Sequence, residues 1–289
     1  MPERPIWLRQ RLPPAGKIPD TDSMLKDLGL HTICESGRCP NTFKCFPGGA
    51  AFLLLGNSCT RNCTFCAVDR HTPAPPDPCE PASMAEAARR LKLGYVFLTS
   101  VTRDDLADGG AGHFADTVRL LYRELPGIKV EVLIPDFQGE MQALRTVVEA
   151  APTVLGHNIE TVPRLYAEVR PLASYRRSLN LLAGVKKLDA GMVTKSGIML
   201  GLGETQEEVL EAMQDLRAAG CDLLTLGQYL SPSKDNHPVV EYITPEKFAE
   251  YIPLGLSMGF KGVASAPLMR SSFKAEGFYY ESIEKVLPG

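Results

Sequence analysis

The sequence lacks the marks of several large functional classes. No stretch approaches the ~18 consecutive apolar residues of a membrane-spanning helix. The opening Met-Pro-Glu-Arg-Pro-Ile-Trp-Leu-Arg has no apolar run of the secretory kind. Neither sign of charge is in excess: 31 Lys and Arg stand against 34 Asp and Glu, net −3, so a broad basic face for nucleic acid is not expected. The five histidines (His31, His71, His113, His157, His237) form no HxH or HExxH arrangement, and no GxGxxG fingerprint is present. These absences point to a cytoplasmic chain that binds neither membrane nor nucleic acid.

What is present in unusual amount is cysteine. There are eight in 289 residues, and six of them (Cys34, Cys39, Cys45, Cys59, Cys63, Cys66) fall in one short N-terminal stretch. A chain of this length buries roughly 75% of its unfolded surface and needs no disulfide staples. In a reducing compartment, clustered thiols more often bind metal or do redox chemistry than cross-link.

The pattern of elements predicts α/β architecture. Residues 50–55 read as a buried strand closed by Gly56-Asn57. A Pro-rich loop follows, and Ser83 with Glu86 reads as a capping box opening a helix. Strands are expected at 95–99, 129–134, 154–157, 192–200 and 223–226. Helices are expected at 113–125, 139–150, 162–169, 174–190, 205–219 and 244–258. Six strand–helix units without a dinucleotide fingerprint favour a partial (β/α)6 TIM-like barrel with a parallel sheet. Residues 1–49 are read as an N-terminal cysteine-bearing extension, 50–264 as the barrel and 265–289 as a C-terminal extension. The basic arm before Asp20 (Arg4, Arg9, Arg11, Lys17) is read as a solvated arm wrapping the body, with contact to an acidic partner as the other reading.

In such barrels the chemistry sits in loops after the strands. Cys59-Thr-Arg-Asn-Cys63-Thr-Phe-Cys66, a CxxxCxxC motif, occupies the first of these loops. Three thiolates at this spacing can hold three irons of a cubane cluster and leave the fourth open. A structural zinc site needs four ligands and usually paired CxxC elements. Cys34-Glu-Ser-Gly-Arg-Cys39-Pro-Asn-Thr-Phe-Lys-Cys45 supplies a second set, again one short. Cys79 and Cys221 are either fourth ligands or incidental thiols. Paired serines such as Ser271-Ser272, on their own, read as a turn or a helix cap.

CxxxCxxC after the first barrel strand resembles the radical S-adenosylmethionine (SAM) superfamily. The segments Cys34–Asn41, Phe52–Val68, Thr99–Asp105, His157–Thr161, Lys195–Thr205, Gln228–Ser233 and Arg270–Ala275 together resemble the lipoyl synthases. That resemblance implies an enzyme with two [4Fe-4S] clusters and SAM. Cys59, Cys63 and Cys66 would ligate the SAM-cleaving cluster, and Cys34, Cys39, Cys45 and Ser272 an auxiliary cluster that donates sulfur. The common Arg-Ser-Ser-Tyr-His pattern is here Arg270-Ser271-Ser272-Phe273-Lys274, which keeps the aromatic ring and loses its hydroxyl. The implied reaction inserts two sulfur atoms at C6 and C8 of a protein-bound octanoyl-lysine.

The implied partners are octanoylated lipoyl carrier domains, namely the 2-oxoacid dehydrogenase E2 subunit and the glycine cleavage H protein. Ferredoxin or flavodoxin would supply electrons. Expected SAM contacts are Phe65 (or plain packing), Ser100, Asp104 and Asp105 (or a solvated acidic loop), Asn158 and Glu160 at ribose, and Arg177 and Ser178 at a carboxylate or the substrate. Gly201 and Gly203 either admit a ligand to the backbone or form a simple turn. The competing readings are another auxiliary-cluster radical SAM enzyme, such as a methylthiotransferase, and a non-catalytic iron–sulfur or zinc scaffold.

Overall fold

The computed structural model describes residues 3–9, 21–42 and 51–285. Eight strands form one sheet in strict sequence order: β1 (His31–Thr32), β2 (Ala51–Leu54), β3 (Tyr95–Ser100), β4 (Lys129–Leu133), β5 (Val154–Gly156), β6 (Val193–Leu200), β7 (Leu223–Gln228) and β8 (Gly262–Ser265). β1 pairs antiparallel to β2, and every later pair is parallel. The sheet stays open, with β1 and β8 at its edges. The partial barrel expected from the sequence stands, extended by β8 as a seventh parallel strand. Gly-Val-Ala-Ser is too short and too small to register as an apolar run.

Period-two patterning sorts each strand between an outer, helix-covered face and the barrel interior. In β3, Val96 and Leu98 join Phe114, Val118 and Leu121 of the helix Ala111–Glu124 in the main core. Tyr95 and Phe97, alternating with them, join an inner cluster with Cys34, Val154, Ala275 and Tyr279. Each large apolar side chain so buried contributes roughly 1.5–3 kcal/mol. The C-terminal segment therefore packs against inward-facing residues of the barrel.

The first crossover helix spans Glu80–Arg90 and begins three residues before the sequence suggested. Pro81 sits in its first turn, where the missing N–H costs nothing. Glu86 makes no capping box and pairs instead with Arg89 and Arg90. The box that does form is Thr205 with Glu208, at the head of Gln206–Ala218. Among the described residues no helix is long and apolar enough to cross a membrane.

Candidate active site

The cysteine loop after β2 is fixed by backbone bonds to its neighbours. The Thr60 N–H and hydroxyl both donate to the Thr102 carbonyl, at 3.0 and 2.9 Å. The Thr64 N–H donates to the Val169 carbonyl. Asn236, in the loop after β7, donates to the carbonyls of Thr64 and Cys66, each at 3.0 Å. Arg61, between Cys59 and Cys63, points inward with a side chain only 3% exposed. Its guanidinium donates to both Asp104 oxygens (2.7 and 2.9 Å) and to Asp136 (2.6 Å), which also receives Arg177 at 3.2 Å. Burial opposes ionisation of Asp136, and the hydrogen bond and charge of Arg61 outweigh it, holding the carboxyl well below the usual range. The loop is thus clamped by segments following β3, β4, β5 and β7.

Cys59, Cys63 and Cys66 line a cavity of about 470 Å³, and Cys34, Cys39 and Ser272 line the same cavity. Cys45 lies outside the described residues. Cys59 Sγ accepts the N–H groups of Arg61 (3.5 Å) and Thr102 (3.4 Å), as a thiolate ligand would. Burial pushes the Cys66 thiol up to about 12 and raises Cys63 and Cys34 as well. Such thiols are poor anions alone and become thiolates when a metal supplies the compensating charge. Among the described residues no three His, Cys, Asp or Glu side chains converge as a single metal ion requires. Three thiols on one cavity are the donor chemistry of an iron–sulfur cluster, which takes one thiolate per iron.

Of the paired serines, Ser271 is engaged: Asn158 donates to its hydroxyl at 2.9 Å, and that hydroxyl is within 3.1 Å of the Asn158 amide oxygen. Ser272 lines the cavity and makes no side-chain hydrogen bond among the described residues. Cys79 is exposed and Cys221 is fully buried. Neither lines the cavity.

Comparison with known proteins now bears on this arrangement. Residues 53–216 match the Radical SAM superfamily. The chain is 56% identical over 274 residues to the lipoyl synthase of Caldanaerobacter subterraneus subsp. tengcongensis, covering 94% of this chain and 96% of that relative. The lipoyl synthase of Nitratidesulfovibrio vulgaris is 52% identical over 276 residues, covering 95% and 92%. The chain belongs to the lipoyl synthase family. Among solved structures, Streptococcus suis SuiB bound to S-adenosylmethionine matches this family member with a TM-score of 0.60 at 10% identity, covering 87% of this chain and 57% of that one. HydG, a maturase of the [FeFe]-hydrogenase, matches with 0.57 at 15% identity, covering 72% and 49%. At these identities the likeness is one of fold.

The family's cavity in this chain receives only some of the SAM contacts expected from the sequence. Phe65, Ser100, Asn158 and Glu160 line it, and the Ser100 hydroxyl is buried without a partner. Asp104 and Asp105 do not: Asp104 is held by Arg61, and Asp105 pairs with the buried Arg103. Arg177 is held by Asp136, and the Ser178 hydroxyl meets His157 Nε2 at 2.9 Å behind the wall. Gly201 gives close approach to this chain's own Gln228 and Glu241, not to the cavity.

Sequence reasoning missed Arg170, which carries no motif of its own, and assigned no role to His157 beyond its place in the His157–Thr161 segment. Arg170 lines the cavity, donates through Nη1 to the carbonyls of Asn158 and Ile159, and leaves Nε buried without a partner. His157 lines it too, with Nδ1 on the Ile134 carbonyl at 2.8 Å. Burial lowers its pKa to about 4, so the ring is neutral.

Proposed function

We propose that this chain makes the lipoyl group by inserting two sulfur atoms, at C6 and C8, into an octanoyl chain carried on a protein lysine. The observation that carries this reading is that Cys59, Cys63 and Cys66 share one cavity with Cys34, Cys39 and Ser272, which are remote from them in sequence. When bound, a [4Fe-4S] cluster with SAM would supply the means to take hydrogen from unactivated C–H bonds. Cys59, Cys63 and Cys66 would hold that cluster, and Cys34, Cys39, Cys45 and Ser272 would hold the sulfur-donating one. An alkoxide matches iron less well than a thiolate does, so Ser272 would be the most weakly held ligand of its set.

The remaining work belongs to the protein: binding, orienting and excluding water. Ser100, Asn158 and Glu160 are the polar groups available to the SAM amino group and ribose, and Phe65 is the ring available to adenine. Arg170 replaces Arg177 as the cation for the SAM carboxylate, because its Nε is buried and unpaired beside Cys63. The apolar wall of Leu53, Phe97, Leu133 and Ile134 excludes water from a radical formed there. Octanoylated E2 subunits and H protein are the carriers, and ferredoxin or flavodoxin is the electron donor.

The test is mass spectrometry of an octanoyl-lysine peptide incubated with reconstituted protein, SAM and reductant. Gain of two sulfur atoms with release of 5′-deoxyadenosine is the expected result. 5′-Deoxyadenosine release without sulfur gain would point to another radical SAM reaction.

A further inference from the structure

Barrel interiors of this kind are usually filled by layers of Val, Ile and Leu. Here the interior contains a buried charge pair. Lys195 of β6 and Glu131 of β4 are each 2% exposed and meet at 2.7 Å. The Tyr95 hydroxyl donates to the other Glu131 oxygen at 2.6 Å. A buried ion pair adds little net stability, since desolvation consumes most of the attraction, so stability alone does not account for this pair.

The second partner of Lys195 does. Its Nζ also donates to the backbone carbonyl of Ser271 at 2.8 Å, and it lies over the Phe278 ring at 5.5 Å. One ammonium thus ties the sheet to the C-terminal segment at two points on either side of Ser272. Neighbouring contacts converge on the same stretch. Asn41 donates to the Leu268 carbonyl at 2.6 Å, and the Gln228 N–H donates to the Pro267 carbonyl at 3.1 Å. Gly227 leaves room for Met269, whose carbonyl oxygen would lie 2.1 Å from any Cβ there. Gly197 leaves room for the Ser271 hydroxyl, which would sit 3.0 Å from an added Cβ.

We propose that Lys195, aimed by Glu131 and Tyr95, is a positioning residue that seats the Ser271–Ser272 segment so that the Ser272 oxygen faces the auxiliary cluster. This deepens, and rests on, the reading of Ser272 as a cluster ligand. Lys195 touches no reacting atom. It acts through the backbone of the preceding serine, as groups behind a ligand commonly hold that ligand in place.

The experiment follows iron release to a chelator from full-length, anaerobically reconstituted protein, together with 5′-deoxyadenosine release from SAM alone. Ser272→Ala identifies which phase of release belongs to the auxiliary cluster. Lys195→Met is expected to accelerate that same phase about 10–100-fold, with the other phase and SAM cleavage unchanged. If Ser272→Ala changes neither phase, the serine-ligand reading falls and the proposal with it. If Ser272→Ala accelerates one phase and Lys195→Met leaves it at the wild-type rate, the ligand stands and the positioning role is overturned. Acceleration of both phases by Lys195→Met, with SAM cleavage lost in parallel, marks a merely structural role and also overturns it. Should Lys195→Met fail to fold, Tyr95→Phe removes only the hydrogen bond to Glu131. It is expected to accelerate the same phase by a smaller factor, and an unchanged rate refutes the proposal.

Discussion

Arg61 offers the sharpest test of how the cysteine loop is held. Replacing it with Met keeps the side-chain length and removes three charge-assisted hydrogen bonds from a site 3% exposed. Asp136, fully buried, would keep Arg177 at 3.2 Å and the Gln138 N–H at 3.0 Å, while Asp104, 27% exposed, can turn to water. Removing one partner of a buried pair costs about 3–5 kcal/mol. At roughly 2–4 °C per kcal/mol for a chain near this size, the melting temperature at pH 7 should fall by about 6–20 °C. The cost should be acid-sensitive. Asp136 titrates lower in the folded chain than unfolded, so its pairing contributes above about pH 4 and is lost as pH falls through the folded value. The gap between wild type and Arg61→Met should therefore narrow in acid. Asp136→Asn should be costly alone, and the double variant should cost less than the sum by at least about 1.5 kcal/mol. Strict additivity in anaerobic thermal melts, or a drop under 2 °C for Arg61→Met, would falsify the idea that this pair clamps the loop.

Three further outcomes follow from the site. Arg170→Met should weaken SAM binding about 10–150-fold, the loss of one hydrogen bond to a charged group, while Arg177→Met changes it little; equilibrium binding of SAM to reconstituted protein decides, and the reverse ranking refutes the assignment. Gly227→Ala sets a Cβ against the Met269 backbone at about 1–3 kcal/mol, so trypsin should cut after Arg270 faster than in wild type; equal resistance would mean the segment is held elsewhere. His157 has a folded pKa near 4 against an unfolded value near 6.5, so stability is lost as pH falls between these values, by on the order of 3 kcal/mol. His157→Gln should flatten that part of the melting-temperature profile, and a profile as steep as wild type removes His157 as its source.

The alternation of apolar strands with amphipathic helices was legible because local periodicity carries it, and the CxxxCxxC loop because its cysteines are neighbours in sequence. Boundaries failed where one residue outweighed the pattern, as when Pro81 read as loop and proved to start a helix. Site assignments failed where the partner comes from a distant loop. Asp104 resembles a ligand contact until Arg61 is seen to hold it, and Arg177 until Asp136 does. Arg170 carries no local signal, since its importance lies in an unpaired nitrogen that only the folded wall creates.

The way the C-terminal segment is seated also bears on when the protein becomes competent. Asn41 and Leu268, bonded across the segment, are 227 positions apart, and strand order follows sequence order throughout. Chains fold from the N-terminus as they leave the ribosome, so the Cys59–Cys66 loop can take shape while synthesis continues. Residues 267–271, by contrast, can be seated only after β6 and β7, whose Lys195 and Gln228 hold them. The cavity wall that brings Ser272 beside Cys34 and Cys39 is therefore completed later than the loop that carries Cys59.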